Sequence, residues 1–420
     1  NARGRPGARV RDTMSKNYDI IVFGATGNAG MAVAEYLANS VDIKESNKTW
    51  AIAGRNEAKL MKVRSKIGDE KTCGIVVADC NDVHSMVKMA RQANVVFTSA
   101  GPYREYGEAV IAACLSAKTH YCDITGEVAW VKSMREKYDE KARKAGITLC
   151  SFAGYDCVPN EVSLSAAVSG LGPDYKLKTF ESLVDTKGGA GFPRGTILTF
   201  LGFMGPRAWS TLMHESSEFV PEKNRDAYWR NMNKWKYPFY SKESKGYTLP
   251  NVMGPINIPV LQSTASTLGC GDMEINDRIP LPQQASRWYS LWGLAFIIPI
   301  YAIFVLVCAA TWIANPLVRY LIAKNWGYYG EEKAVTSIKV YATGENAEGL
   351  EKKVSVRFTV PGDPGIKATA FMAAETTLAI LEAGEELKSG VVTPVVAVGG
   401  EKLIERINSA GGSVELKEEN

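Results

Sequence analysis

Short apolar runs alternate with longer stretches of mixed character through the first 150 residues of the chain. The first run is Ile20–Phe23, and an amphipathic helical pattern follows Gly30. Further strands are predicted at 49–53, 74–78, 95–98, 120–123 and 147–152, with helices at 30–38, 57–67, 83–91, 106–117 and 128–145. This alternation predicts a Rossmann-type α/β domain, a doubly wound parallel sheet with helices on both faces.

The pattern changes after Pro159 and becomes typical of an α+β domain. Strands are predicted at 177–184, 337–343 and 353–360, and the C-terminal part shows a helix at 369–382, a strand-like run at 391–396 and a helix at 401–409. We therefore predict a tail at 1–17, a nucleotide-binding domain from 18–158 and 364–420, and an α+β substrate and dimerisation domain at 159–363, which carries an apolar segment at 288–318.

A glycine-rich loop joins the first predicted strand to the first helix, with glycine at 24, 27 and 30. Glycine lets the backbone approach a pyrophosphate, and the helix N-terminus offers N–H groups and a positive dipole to the same anion. The loop predicts a dinucleotide site with contacts from Gly24, Thr26, Gly27, Asn28 and Gly30, whereas the alternative is an ordinary glycine turn of an α/β unit.

The end of the second predicted strand indicates which dinucleotide is bound. An NAD site carries a carboxylate here for the ribose 2′-hydroxyl, but this chain has Arg55 followed by Asn56. An arginine suits a 2′-phosphate, so NADP(H) is the predicted cofactor, and the alternative is a solvated surface arginine. Further cofactor contacts are predicted at the ends of the third and fourth strands, at Asp79, Ser99, Ala100 and Gly101.

Composition excludes several functional classes. The 420 residues are 46% hydrophobic and 22% charged, which is typical of a globular protein. The net charge of +4 is too low to favour a nucleic-acid partner. The eight cysteines form no C-x-x-C pair and the three histidines are far apart, so no metal site is predicted. Scattered cysteines favour reduced thiols inside the cell.

Two segments point towards an organelle or a membrane. Residues 1–13 hold four arginines and one acid, which fits either an organellar presequence or sequence ahead of the true start at Met14. No charge occurs from Trp288 to Val318, long enough for a membrane span of about 20 residues. Because predicted strands of one domain flank this segment, we expect a monotopic or hairpin-like insertion, with a buried core helix or dimer interface as the alternative.

Three motifs and the C-terminal sequence resemble the saccharopine dehydrogenase-like oxidoreductases, which include the trans-acting enoyl reductases. They are 100–107 (AGPYREYG), 121–127 (YCDITGE), 154–161 (GYDCVPNE), 373–378 and 390–394. The resemblance covers 18–415 and implies an NADP-type Rossmann domain, a second α+β domain, reduction of a C=C or C=N bond and, in animal members, association with membranes or lipid droplets. The chain departs from the family pattern at Asn28–Ala29, Cys157, Asn160 and Phe192–Arg194.

Candidate catalytic residues follow the strands that form the carboxyl edge of the predicted sheet. Tyr103, Asp123 and Tyr155 are the candidates for proton donor or orienter, because reduction by hydride transfer often needs a proton donor beside the nicotinamide. For Asp123 a capping role in Asp-Ile-Thr-Gly-Glu is the open alternative.

The sequence as a whole predicts an NADP(H)-dependent oxidoreductase that acts on an apolar small molecule or lipid at a membrane or lipid-droplet surface, with a homodimer as an open option. The alternative is a non-catalytic nucleotide-binding subunit docked on a membrane protein complex through 288–318, which the departures at Cys157, Asn160 and Phe192–Arg194 would favour. The predicted location is intracellular and membrane-associated.

Overall fold

A computed structural model provides the structure of the protein and describes residues 16–68, 72–187, 206–280, 317, 320–321 and 333–419. The described strands form two sheets of seven strands each. The first sheet consists of β1 (Tyr18–Phe23), β2 (Trp50–Gly54), β3 (Cys73–Val77), β4 (Ala93–Thr98), β5 (His120–Asp123), β6 (Thr148–Cys150) and β13 (Gly390–Val392).

The first sheet is parallel throughout, in the order β13-β6-β5-β4-β1-β2-β3. Its connecting helices are α1 (Asn28–Asn39), α2 (Val41–Glu45), α3 (Glu57–Ile67), α4 (Val83–Ala90), α5 (Tyr103–Ala117) and α6 (Val128–Ala145). The strand order reverses between β1 and β4, and a doubly wound sheet binds its ligand at such a switch point. The predicted Rossmann-type fold is therefore confirmed.

The second sheet is mixed, in the order β14-β12-β11-β7-β10-β9-β8, with β7 and β10 parallel. Its strands are β7 (Lys176–Val184), β8 (Phe239–Ser241), β9 (Gly246–Pro250), β10 (Glu274–Pro280), β11 (Val335–Glu345), β12 (Glu351–Pro361) and β14 (Ser413–Glu419). The helices are α7 (Val158–Leu171), α8 (Pro206–Phe219), α9 (Arg225–Trp235), α10 (Gly254–Thr267), α11 (Lys367–Glu382), α12 (Pro394–Val398) and α13 (Gly400–Ser409). A second unit of α+β character accompanies the Rossmann domain, as predicted.

The C-terminal region differs in two details from the sequence-based prediction. The strand-like run at 391–396 is strand only to Val392 and becomes α12 at Pro394, because proline suits the first turn of a helix and cannot donate to a sheet. The last residues, 413–419, pair with β12 in the second sheet, although the predicted domain limits assign them to the first. The limits themselves remain a prediction.

One apolar core connects the two sheets. Residues of β1, α1, β7, β11 and α11 belong to the same contiguous buried cluster. At its edge Arg406 bridges Glu375, Asp42 and Glu382, and the Tyr36 hydroxyl donates to Glu375 at 2.7 Å. Because Glu375 is 1% exposed, this network supplies the partners that its buried carboxylate requires, and it fastens α1 to α11 and α13.

Several sequence predictions concern residues outside the described part of the chain. They are the arginine-rich start at 1–13, the departure at 192–194, and the apolar segment at 288–318 apart from residue 317. Within the described ranges no helix combines the length and apolar character needed to cross a bilayer. The predicted insertion of 288–318 therefore stays a prediction.

Candidate nucleotide-binding and catalytic site

The loop between β1 and α1 leaves room for a ligand at its glycines. Gly24 adopts a φ of +85°, a conformation that favours glycine. A Cβ added to Gly30 would lie 2.4 Å from the Gly24 carbonyl oxygen and 2.6 Å from Ser99 Oγ, so only glycine lets α1 begin this close to the loop. The loop therefore has the backbone conformation and close packing that the predicted cradle requires, and Thr26 and Gly27 are exposed beside it.

The first turn of α1 follows this loop directly, and no side chain caps the N-terminus of the helix. Gly27 is the N-cap residue, and its N–H donates to the Gly24 carbonyl at 2.9 Å. A 12-residue helix that begins at Asn28 presents backbone N–H groups and the positive end of its dipole at the carboxyl edge of the sheet. This geometry fits a pyrophosphate.

Arg55 lies at the end of β2, on the side of the sheet where a ribose next to that pyrophosphate would lie. Its guanidinium is exposed, and among the described residues it has no hydrogen-bond or ion-pair partner. The neighbouring Asn56 is the N-cap of α3, where its Oδ1 accepts from the Lys59 N–H at 2.9 Å. The guanidinium of Arg55 is therefore available to bind a phosphate, whereas the side chain of Asn56 is used to cap α3.

Asp79 and Cys80 follow β3 at the carboxyl edge of the first sheet. Asp79 Oδ1 accepts from the Asn81 N–H at 3.0 Å and so shapes the turn after β3. Burial and the Asp79 charge raise the pKa of Cys80 to about 11, and nearby Arg55 acts in the opposite direction. Arg55, Asp79 and Cys80 are thus neighbours.

Ser99 connects the end of β4 to the glycine loop. Its N–H donates to the Phe23 carbonyl at 3.1 Å, and its hydroxyl donates to the Gly24 carbonyl at 3.4 Å. Ala100 is half-buried and Gly101 is exposed next to it. The structure therefore brings Ser99 and Ala100 together with the predicted pyrophosphate loop.

Tyr103 is placed differently from the prediction of a proton donor. Its side chain is 7% exposed, its ring packs against Trp130 at 5.6 Å, and its hydroxyl donates to the Thr98 carbonyl at 3.0 Å. Burial raises the pKa of this phenol well above its usual value. The geometry gives Tyr103 a structural role under the crevice.

Asp123 is also held by the fold. Its carboxylate accepts from the Tyr121 hydroxyl at 2.6 Å, from the Ser151 hydroxyl at 3.0 Å, and from the N–H groups of Thr125 and Phe152. Burial raises its pKa to about 6, against these hydrogen bonds. These contacts shape the turn after β5, whereas α6 begins after Glu127 without a side-chain cap, so Asp123 does not cap that helix.

Tyr155 and Asp156 lie where β6 leads into α7, and both are half-buried. The Tyr155 phenol lies near Thr186, which follows β7, and near Asp277 of β10, so this residue connects the edge of the first sheet with the second sheet. Burial raises its pKa above the usual value. Of the three predicted catalytic residues, Tyr155 alone is half-buried, whereas Tyr103 and Asp123 are buried.

Asp156 is the residue that the sequence-based selection missed. Surrounding protein and the nearby Asp277 raise its pKa to about 7, and no described residue forms a hydrogen bond with its carboxylate. Its position in the Gly-Tyr-Asp-Cys motif was visible, but its link to Asp277 was not, since β10 contains none of the recognised motifs.

The described residues show no cluster for a metal ion and no disulfide. No group of three or more His, Cys, Asp or Glu side chains within the described ranges is arranged to hold a cation. The seven cysteines in the described ranges are free thiols, and the half-buried His120 of β5 accepts from the Thr148 N–H. The crevice thus contains carboxylates, a phenol and the dinucleotide cradle.

Comparisons with known proteins agree with this geometry. Residues 20–150 match the family described as saccharopine dehydrogenase NADP binding domain. The human saccharopine dehydrogenase-like oxidoreductase is 25% identical over 427 residues, which cover 95% of this chain and 97% of that protein. Over nearly its whole length the chain is similar to the saccharopine dehydrogenase-like proteins. Its first domain is a nicotinamide dinucleotide-binding domain.

Two other relatives and one solved structure extend the comparison. A lipid droplet localized protein of Caenorhabditis elegans is 35% identical over 212 residues, 49% of this chain and about half the length of that protein. A protein named as a trans-acting enoyl reductase of Mycobacterium tuberculosis is 26% identical over 436 residues, 95% of this chain and 97% of that protein. The structure of the L-Glu-forming saccharopine dehydrogenase of Saccharomyces cerevisiae has the same fold, with a TM-score of 0.52, 13% identity, and coverage of 96% of this chain and 100% of that one.

Proposed function

We propose that this chain is an NADP(H)-dependent oxidoreductase that reduces a C=C or C=N bond in an apolar substrate at a lipid surface. One observation carries the proposal, which is the glycine cradle at Gly24 and Gly30 together with the exposed, unpaired Arg55 at the end of the next strand. When bound, a reduced nicotinamide supplies a hydride, and the carboxyl edge of the first sheet leads from this cradle to the crevice at Tyr155.

The choice of NADP(H) rests on charge. A ribose 2′-phosphate carries negative charge that an arginine can neutralise and bind with two parallel hydrogen bonds. Arg55 is exposed, whereas the acidic Asp79 nearby is engaged in its own turn. An NAD-selective site needs a carboxylate in the place that Arg55 occupies.

The residues near Gly126 and Asp156 favour an uncharged, apolar substrate. Ile256 of α10 lies close to Gly126, since a Cβ added there would be 3.0 Å from Ile256 Cδ1. The nearby carboxyl group of Asp277 would repel an acidic substrate, and Arg278 turns its guanidinium to the carbonyls of Trp235 and Tyr237. The name of the mycobacterial relative supports enoyl reduction as the chemistry.

Association with a lipid surface is supported by the name of the worm relative and by the ends of the second sheet. Pro280 at the end of β10 pairs with Thr248, and Val335 at the start of β11 bridges Lys187, so the chain leaves and re-enters the sheet at the same end. The β8–β9 turn is at this end too, with Tyr240 53% exposed. The uncharged sequence 288–318 is thus joined to the fold from one side, as insertion into one face of a lipid layer requires.

Purified protein and calorimetry test the cofactor, and an NADPH oxidation assay tests the reaction. We expect NADPH to bind at least tenfold more tightly than NADH, and NADPH to be oxidised when extracted cell lipids or the apolar enal farnesal are added. Flotation with phospholipid vesicles tests whether the protein binds to a lipid surface. If calorimetry detects binding of neither NADPH nor NADH, the proposal is overturned.

The alternative is a nucleotide-binding accessory subunit of a membrane protein complex. It is favoured by the engagement of Tyr103 and Asp123 in hydrogen bonds of the fold, which leaves neither available to the substrate. Purification in mild detergent separates the two proposals. Stoichiometric recovery with a large complex and bound but unreactive NADPH supports the subunit, whereas a free monomer or homodimer that oxidises NADPH supports the enzyme.

A further inference from the structure

The carboxyl group of Asp156 lies between the ends of β5 and β6, at the edge of the sheet where the cofactor cradle opens. Its Oδ2 is 3.9 Å from the position that a Cβ on Gly126 would take, and Ile256 Cδ1 is 3.0 Å from the same position, so the carboxyl group lies near Gly126 and an apolar side chain. The side chain is half-buried and forms no hydrogen bond with any described residue. A carboxyl group in this position can contact a substrate that enters the crevice.

Asp277 faces the same crevice from the second sheet and is fully engaged by amides. Its two oxygens accept from Asn251 Nδ2 at 3.0 Å and from Asn257 Nδ2 at 2.8 Å, and its side chain is 2% exposed. Asp277 is therefore held in one position, close enough to interact electrostatically with both Asp156 and Tyr155.

Two buried polar atoms next to Asp277 have no partner among the described residues. Ser182 is in register with Asp277 on the neighbouring parallel strand, so both side chains project from the same face of the sheet. Its hydroxyl oxygen is unpaired at 1% exposure, and so is Oδ1 of Asn257 at 4% exposure. Buried polar atoms without partners are rare, and here they indicate a place for a polar group of a ligand.

We propose that Asp156 is the catalytic residue that donates the proton in the reduction and that Asp277 is a positioning residue that keeps this proton on Asp156. The proposal rests on the proposed function and names the acid of the same site. A negative charge on Asp277, which two amides hold in place, favours the protonated form of Asp156.

The step is balanced by one proton. A double bond that accepts a hydride at one of its atoms needs a proton at the other atom. The O–H bond of Asp156 breaks, its electron pair stays on the carboxylate, and the proton forms the new bond to carbon or nitrogen of the substrate. Exchange of a proton with water, which reaches the half-buried Asp156, restores the acid.

A kinetic comparison of Asp156→Asn with wild type tests the role, and the exposed Asp174→Asn is the matched control. With farnesal as the probe, we expect Asp156→Asn to lower kcat about 100-fold or more, as loss of a general acid does, while the Kd for NADPH stays within about twofold. Asp174→Asn should match wild type.

Infrared titration of the protein without nucleotide gives a readout independent of turnover. The carboxylic C=O band that is present in wild type and absent in Asp156→Asn should titrate near pH 7. Asp277→Asn should move this midpoint to lower pH. Tyr155, Cys157 and Glu161 also face this region, so the band is isolated as the wild-type minus Asp156→Asn difference.

The outcomes separate the two proposals. Wild-type activity with equal activity in Asp156→Asn overturns the assignment of the acid but leaves the proposed function standing. NADPH binding without any wild-type turnover overturns the proposed function and this assignment with it. A carboxyl band that titrates below pH 5 in wild type overturns the assignment of the acid alone.

Discussion

The carboxylate of Glu127 caps α5 through the N–H of Tyr103, which lies 2.9 Å from Oε1. The same carboxylate accepts from the Arg104 N–H at 3.0 Å, and the Glu127 side chain is 6% exposed. Because Glu127 follows β5 and Tyr103 follows β4, this contact joins the ends of two neighbouring strands at the site. It also supplies negative charge at the positive end of a 15-residue helix.

Removing this cap should destabilise the first domain. Glu127→Ala leaves the buried N–H of Tyr103 and the part-buried N–H of Arg104 without their acceptor, so we expect the free energy of unfolding in urea to fall by about 1–3 kcal/mol. Glu127→Gln keeps one acceptor oxygen and should lose less. The control is Glu140→Ala, because Glu140 is 81% exposed. Equal losses in the variants and the control would contradict the capping role.

Closing the glycine cradle should abolish binding of both nucleotides. In Gly30→Ala the new methyl group would collide with the Gly24 carbonyl and Ser99 Oγ, so the loop and α1 must separate. We expect the Kd for NADPH and for NADH to rise by at least about tenfold in calorimetry. Gly246→Ala, whose methyl group would make an ordinary contact at 3.9 Å, should bind like wild type.

Removing the guanidinium of Arg55 should affect NADPH alone. A charge-assisted hydrogen bond contributes about 1.5–3 kcal/mol, so Arg55→Ala should raise the Kd for NADPH by about 10- to 100-fold and leave the Kd for NADH nearly unchanged. Lys62→Ala, which removes an exposed charge of the same domain, is the control. The same loss for both nucleotides would place the 2′-phosphate elsewhere.

The stability of the fold should depend on pH through Glu161. This buried side chain of α7 accepts from Thr264 and from the Val395 N–H, and burial raises its pKa to about 7 from an ordinary 4.5. The folded state therefore keeps the proton longer than the unfolded state. The resulting stability is complete below pH 4.5 and is lost as the pH rises through 7.

Glu161→Gln removes this proton equilibrium and keeps an acceptor oxygen. The interval between the two pKa values, from 4.5 to 7, corresponds to about 3 kcal/mol. We therefore expect the stability of Glu161→Gln relative to wild type to increase by up to this amount between pH 4.5 and 8, measured by urea unfolding at each pH. A constant difference over this range would show that Glu161 does not titrate there.

Much of the first domain was predictable from local pattern. α3 at 57–67 and α6 at 128–145 have the predicted bounds, since each combines apolar periodicity with a clear end at Gly68 or Gly146. The β8–β9 hairpin was not predicted, because its alternation is short and its aromatic residues also fit a helix. The role of Asp123 was ambiguous for a different reason. A carboxylate that follows a strand can serve either as a helix cap or as a catalytic acid.

The sequence by itself determined the Rossmann order, the glycine cradle and the charge at Arg55. Each depends on residues that are close together along the chain, where spacing and residue type specify local geometry. The tertiary structure decided that Tyr103 and Asp123 are engaged in the fold and that Asp156 lies beside Asp277. Burial and the meeting of two sheets depend on contacts between distant parts of the chain, and no local pattern encodes them.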